Sequence, residues 1–210
     1  MIGLINLGNS NIQSVINALD RLEIDYFVTD NYKDLKKCSK IILPGVGSFS
    51  NGVSRLRELK LFDSLKREVL TKNKPILGVC LGMQMFFDSS EESDGIEGLG
   101  LVSGRVVRLP ESDNYRIPRI GWADSRLCSN FLGLTKGQLI DFYYVHSFHA
   151  QPNDLNTVVI DSDSGIVSAI KYKNIYGCQF HPEKSFKSGL KILEEFSKLN
   201  WNNGPSSANI

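Results

Sequence analysis

The sequence predicts an α/β fold: a mainly parallel central sheet flanked by helices, with an antiparallel strand extension. Three observations carry that reading. Through residue 87, short apolar runs alternate with segments whose apolar residues recur at helical spacing. Within them, residues 74–87 (KPILGVCLGMQMFF) read as a strand turning sharply into a helix, with Cys80 at the apex between Gly78 and Gly82. Beyond residue 87 the rhythm changes to short strands parted by turns. Strands alternating with helices imply a parallel sheet covered on both faces, because parallel neighbours need a helix-length crossover.

The elements follow in order. Residues 2–7 form a short apolar strand, ended by the polar turn Gly8-Asn9-Ser10-Asn11 with its helix-capping side chains. Ile12, Val15, Ile16, Leu19 and Leu22 then recur at helical spacing. Residues 25–29 read as a second strand, 32–38 as a short helix, and Ile41-Ile42-Leu43 as a strand that stops at Pro44-Gly45-Val46-Gly47-Ser48-Phe49. Residues 53–69 are helical with a break near Lys60-Leu61-Phe62-Asp63, and the run after Gly82 reads as a helix packed into the core. Residues 89–104, rich in acid, serine and glycine, read as loop. Strands are expected at 105–109, 137–145, 158–161, 167–172 and 175–180, with turns at Asp163-Ser164-Gly165 and Lys173-Asn174. Residues 186–199 form a final amphipathic helix with Leu190, Leu193 and Phe196 on one face. No repeat or linker interrupts the chain, so one domain is expected over 1–199, followed by a polar tail over 200–210 expected to fray.

Composition excludes several function classes. The chain has 210 residues, 41% hydrophobic and 22% charged, with a formal net charge of +1, so it lacks the basic footprint of a nucleic-acid binder. No apolar stretch approaches a membrane span, and the amino terminus lacks a secretory pattern. Cys38, Cys80, Cys128 and Cys178 form no metal-type spacing, so neither metal nor cofactor is expected and a reduced, cytoplasmic setting fits.

The chemistry centres on Cys80. From the chain's own glycine and cysteine frequencies, roughly 0.03 chance occurrences of G-x-C-x-G are expected. The bland reading is a buried core cysteine between two turn glycines. The functional one is a nucleophile on a strained elbow, with the next helix directing its unpaired N–H groups at the sulfur and favouring thiolate. A second motif shifts the balance. The last strand ends in Gln179-Phe180-His181-Pro182-Glu183-Lys184, at a carboxyl-terminal strand end where α/β sheets form sites. A cysteine nucleophile needs a base, and the base an orienting group; His181 and Glu183 supply both roles. Gly45-Val46-Gly47 can turn backbone amides toward an acyl oxyanion, joined by the amide of Leu81. His146, in an apolar run, reads as a core histidine and His149 as an exposed loop residue. Cys178 reads as core, and Cys38 and Cys128 have no partner pattern.

PGVGSF, GVCLGMQ and FHPEKS, in that order over the middle and end of the chain, closely resemble the class I (triad) glutamine amidotransferases, of flavodoxin-like architecture. SVINALDRL, FFDSSEE with GIEGLGLVSGRVVRLP, the IGW at 120–122 and YYVHSF resemble, more narrowly, glutaminase subunits of imidazole glycerol phosphate synthase. The resemblance implies Cys80, His181 and Glu183 as a catalytic triad that hydrolyses glutamine through a γ-glutamyl thioester. Val46, Gly47 and Leu81 would form the oxyanion site. Gly45, Gln84 and the backbone of His146, Ser147 and Phe148 would hold glutamine. Ammonia would pass to a separate (β/α)₈ cyclase barrel subunit in a heterodimer, with Trp122 and Lys184 at the interface, for histidine biosynthesis. The chain departs from the family pattern at Asn6-Leu7-Gly8-Asn9-Ser10-Asn11-Ile12, at Ala123 after Gly121-Trp122, and at His149. Related glutaminases supply a sugar amidotransferase in surface-polysaccharide or glycan biosynthesis, which is the alternative partner. Two rivals from other classes are a flavodoxin-like cysteine peptidase, which would cleave peptides or esters unaided, and a non-catalytic module that keeps the fold. The intact triad argues against the second.

Overall fold

The structure is a computed structural model that describes residues 1–8, 12–112, 115–162 and 165–201. In chain order the elements are β1 (Ile2–Ile5), α1 (Ile12–Arg21), β2 (Tyr26–Thr29), β3 (Lys40–Gly45), α2 (Phe49–Glu58), α3 (Leu61–Lys66), β4 (Ile76–Cys80) and α4 (Leu81–Gln84). There follow β5 (Ser89–Ser90), β6 (Gly104–Arg108), β7 (Arg119–Leu127), β8 (Leu139–His146), β9 (Phe148–Pro152), β10 (Val158–Ser162), β11 (Ile166–Tyr172), β12 (Ile175–Cys178) and α5 (Phe186–Lys198).

A nine-stranded sheet runs in the order β2-β1-β3-β4-β12-β11-β10-β7-β8. The strands from β2 to β12 are mutually parallel, and those from β12 outward pair antiparallel. The expected parallel sheet with an antiparallel extension is what forms. A small second sheet, β5-β6-β9, lies beside it.

Side chains alternate across the parallel strands and so divide the core in two. Ile41, Leu43 and Ile76 pack with Val53 and Leu56 of α2 and Leu65 of α3. Ile42, Leu77 and Val79 face the other way, against Val15 and Leu19 of α1 and Ile192 and Phe196 of α5. The interrupted helix 53–69 resolves into α2 and α3, parted at Lys60, whose φ of 57° ends the first helix.

Several expectations are corrected. The helix after Cys80 is one turn, Leu81–Gln84, rather than a helix through Phe87. Its apolar run is buried in every direction, and burial alone does not distinguish helix from coil. β7 and β9 arise where no strand was expected. In β7 the glycine and charged positions hide an alternation whose inward residues pair with β8. In β9 the partner, β6, lies more than forty residues earlier. That pairing places His149 opposite Val107 and buries it, so it is not the exposed loop residue expected. Burial also lowers the imidazole's pKa.

The start of the tail is anchored: the Trp201 indole donates to the Lys72 carbonyl at 2.9 Å and covers the buried Lys74 ammonium. Lys74 is itself ion-paired to Glu68 at 2.9 Å. The expected turns at Asn9-Ser10-Asn11 and Asp163-Ser164, and the tail over 202–210, lie outside the described residues. Among the described residues no helix is long and apolar enough to cross a membrane.

Candidate active site

Cys80 closes β4 and opens α4 with φ 54° and ψ −113°, a conformation that a β-carbon makes costly. The surroundings enforce it. A β-carbon on Gly82 would overlap the carbonyl oxygen of Leu43 on β3, so only glycine lets the turn after Cys80 lie this close to the neighbouring strand. The apex thereby lifts the sulfur to the carboxyl end of the parallel sheet. Because α4 is a single turn, any electrostatic support for the sulfur comes from its few unpaired N–H groups rather than a long helix dipole.

The turn after β12 brings the second group to the same place. His181 and Glu183 lie in a segment stitched to the outer sheet. The His181 N–H donates to the Tyr143 carbonyl at 2.9 Å. The Ser185 hydroxyl donates to the His181 carbonyl at 2.7 Å and accepts the Tyr143 N–H at 3.0 Å. The His181 ring is thus placed by backbone contacts on both sides. Its Nδ1 meets Glu183 Oε1 at 2.8 Å, and the Cys80 sulfur stands near enough to the ring to raise its pKa.

Charge in this cluster is well defined. Burial alone would lower the pKa of His181, but hydrogen bonds and charge from Cys80 and Glu183 raise it from 6.5 to about 10. The Glu183 side chain is buried, and its second oxygen, Oε2, has no hydrogen-bond partner among the described residues, so the imidazolium is its main counter-charge. Folding therefore favours protonated His181. That contribution to stability is complete below 6.5, the unfolded value, and is lost as pH rises through about 10. Histidine-selective NMR is expected to show the ring still protonated near pH ~9 and Glu183→Gln to move its midpoint down by at least about one pH unit. A midpoint near the free-histidine value in the unsubstituted chain would contradict the ion-paired cluster.

Around these groups lies a cavity of about 250 Å³. Cys80 and His181 line it together with Val46, Gly47 and Leu81. Gly47 holds φ +98°, the region open to glycine, which re-aims the peptides beside the sulfur. Gln84, His146, Ser147 and Phe148 line the rest. Of the expected residues, Gly45 does not line the cavity; it packs against the elbow beside Leu81 and Gly82. Glu183 stands behind His181. Gln84 is buried, with its Nε2 donating to the Phe148 carbonyl at 2.9 Å and to Gln179 Oε1 at 3.0 Å. Its Oε1 is the atom left to meet a ligand. His146 bonds the same Phe148 carbonyl through Nδ1 at 2.8 Å. Burial pushes its pKa down to about 4, so it is a neutral, structural imidazole, as the apolar run around it implied.

Four residues at the site escaped sequence reasoning, one of them Val145, which lines the cavity and accepts from the Cys80 thiol through its carbonyl at 3.7 Å. Glu92 lines the cavity and accepts the Phe49 N–H at 2.7 Å, pinning the start of α2 just after the Val46-Gly47 loop. It lies in an acidic loop with no local signal. Pro118 also lines the cavity and was invisible for the same reason. Gln179 is different: a polar residue at the end of an apolar strand is a readable sign of a buried partner.

Beside the cavity, the outer face of the β7–β8 pair is exposed and apolar. Ile120, Trp122 and Val145 project from it, with Trp122 43% exposed. Phe186, 73% exposed, stacks on Trp122 with ring centroids 4.6 Å apart. The Lys184 ammonium lies 5.7 Å from the Tyr143 ring at the same edge.

Known proteins resemble this chain in sequence and in fold. The class-I glutamine amidotransferase family model matches residues 3–199. Imidazole glycerol phosphate synthase subunit HisH 1 of Campylobacter jejuni is 40% identical over 204 residues, covering 95% of this chain and 100% of its own length. Subunit HisH of Pyrococcus furiosus is 42% identical, with 94% and 98% covered. Subunit HisH of Bacillus subtilis is 37% identical, with 95% and 96% covered. Among solved structures, a glutamine amidotransferase superposes with a TM-score of 0.75 at 17% identity, covering 93% of this chain and 96% of its own. A glutamine amidotransferase from Thermotoga maritima gives 0.60 at 20% identity, covering 87% and 75%. At those identities the likeness is one of fold.

Proposed function

The chain belongs to the class-I glutamine amidotransferase family, and from that premise we propose that it is the glutaminase subunit of imidazole glycerol phosphate synthase. The observation that carries the chemistry is one buried cavity holding Cys80 on a strained elbow and His181 backed by Glu183. The match over residues 3–199 supports treating 1–199 as one amidotransferase domain. The four cysteines are free, which suits a reducing compartment such as the cytoplasm.

The steps follow from the groups present. Glutamine enters with its side-chain amide carbon against Cys80 Sγ. Gln84 Oε1 and the peptides of His146, Ser147 and Phe148 meet the amino-acid end, and the Glu92 carboxylate offers a counter-charge to its ammonium. The Cys80 thiolate attacks the carbonyl carbon, and the oxygen takes the negative charge toward the amides of Val46, Gly47 and Leu81. His181, already protonated, gives its proton to the departing nitrogen, so the C–N bond breaks and ammonia leaves a γ-glutamyl thioester. The neutral His181 then removes a proton from water. The hydroxide adds to the thioester, glutamate departs and the thiolate returns. Glu183 holds Nδ1 throughout and steadies the imidazolium whenever it forms.

The exposed apolar face of Ile120, Trp122, Val145 and Phe186 is where a separate cyclase barrel would dock, with Lys184 at its edge. Ammonia would then pass between the subunits without meeting bulk water, and the isolated chain would be a poor glutaminase. The test is glutaminase activity of the pure chain, alone and with the cyclase subunit of the same cell and its ribonucleotide substrate. Strong stimulation with imidazole glycerol phosphate formed is the expected result. No stimulation, with Cys80 still labelled by a glutamine-analogue electrophile, would favour a sugar amidotransferase as the partner instead.

A further inference from the structure

Gln179 has no part in the chemistry above and does not line the cavity, yet it touches the sulfur. It is 0% exposed, one residue past the end of β12 in the run Ile175-Tyr176-Gly177-Cys178-Gln179-Phe180. A primary amide taken into such surroundings is costly unless both of its ends are bonded. Both are. Oε1 accepts from Gln84 Nε2 at 3.0 Å, and Nε2 reaches Cys80 Sγ at 3.7 Å. The backbone N–H donates to the Ser168 carbonyl at 2.8 Å, fixing where the side chain starts.

The direction of the two amides follows from the network. The Phe148 carbonyl only accepts, so Gln84 must turn its NH₂ toward it, where the distance is 2.9 Å. The same NH₂ meets Gln179, which must answer with its oxygen. The NH₂ of Gln179 is then the end that faces Cys80. One side of Gln84 therefore touches the glutamine cavity while the other sets the donor on the nucleophile.

We propose that Gln179 is a positioning residue for Cys80, holding an N–H donor on the sulfur and coupling it, through Gln84, to occupation of the glutamine site. The assignment rests on Cys80 being the nucleophile. Its physical content is that an N–H donor favours the sulfur when it carries charge, as the attacking thiolate and again as the group leaving from the tetrahedral adduct of water. When the sulfur is bound in the neutral thioester, the donor contributes less. The interaction therefore acts on turnover more than on substrate binding. A purely structural amide would instead affect stability and leave the sulfur's reactivity unchanged.

Gln179→Glu separates these roles, because it keeps shape and the acceptor for Gln84 but replaces the donor with a carboxylate oxygen facing the sulfur. In complex with the cyclase subunit, kcat with glutamine is expected to fall about 10- to 100-fold while KM stays within about threefold, the scale of one charge-assisted hydrogen bond. Ammonia-dependent synthesis by the same complex should be unchanged, which reports that folding and assembly are intact. Iodoacetamide alkylation, read at Cys80 by mass spectrometry because the exposed Cys128 also reacts, is expected to slow and its pH profile to move upward. Gln179→Met, neutral and without a donor, is expected to lose about tenfold in kcat with the same direction of change in the profile. Gln179→Asn, which keeps a neutral amide but withdraws its reach, decides the matter if either of the others fails to fold. Folded variants with an unchanged Cys80 profile and kcat within about threefold would overturn the proposal. Failure of the unsubstituted Cys80 to react with a diazoketone analogue of glutamine would instead overturn the nucleophile reading on which it rests.

Discussion

Cys80→Ala is expected to lower glutamine-dependent turnover by about 10⁴-fold or more, while ammonia-dependent synthesis by the complex stays within about twofold of normal. The separation follows from where the residue stands. Cys80 lines the cavity with His181 and touches β8 at the Val145 carbonyl, 3.7 Å away, whereas the side chains that would receive the partner stand exposed on β7, β8 and the start of α5. Alanine is the informative substitution because it keeps the β-carbon. The backbone stays in its costly conformation at φ 54°, and only the sulfur is removed. Glycine would relax the elbow and confuse loss of nucleophile with loss of geometry. Loss of both activities would show that Cys80 is needed for assembly, and retention of glutaminase activity would remove it from the mechanism.

His181→Asn is expected to lower kcat with glutamine by about 10³-fold or more. Asparagine retains an N–H donor near the position of Nδ1, so the buried Glu183 carboxylate, whose other oxygen already has no partner among the described residues, is not abandoned. It carries no proton that can be given to nitrogen. His181 acts first as acid, since its pKa of about 10 keeps it protonated at neutral pH, and then as base toward water. That order makes a finer expectation. A γ-glutamyl ester of a nitrophenol leaves without needing a proton, so its acylation step should suffer at least about tenfold less than that of glutamine in the variant. Equal losses for both substrates would show that the ring's main contribution lies elsewhere.

Much of this was legible because the decisive contacts begin as sequence neighbours. Cys80 is framed by its glycines, and His181 and Glu183 stand two apart across Pro182. A strand pattern says that such residues stop at the same end of a parallel sheet, and β4 and β12 turn out to be adjacent. Contacts that depend on distant pairing were hidden. His149 is buried only because β9 finds β6, and Glu92 reaches the cavity only because its loop folds back on the start of α2. The length of α4 was misread for a different reason. In a run as apolar as Met83, Met85, Phe86 and Phe87, every direction is core, and helical period carries no information. Gln179 lay between these cases: its polarity was conspicuous, but its partners, Gln84 and Cys80, sit about a hundred residues earlier.

The central claim is that Cys80 forms a covalent γ-glutamyl intermediate within the His181–Glu183 site. It is tested most directly by quenching the complex in acid during turnover of isotopically labelled glutamine and mapping the label by peptide mass spectrometry. The expected result is a γ-glutamyl group on Cys80, absent from the Cys80→Ala complex. Turnover with no labelled Cys80 peptide, or with the label on Cys38, Cys128 or Cys178, would contradict it.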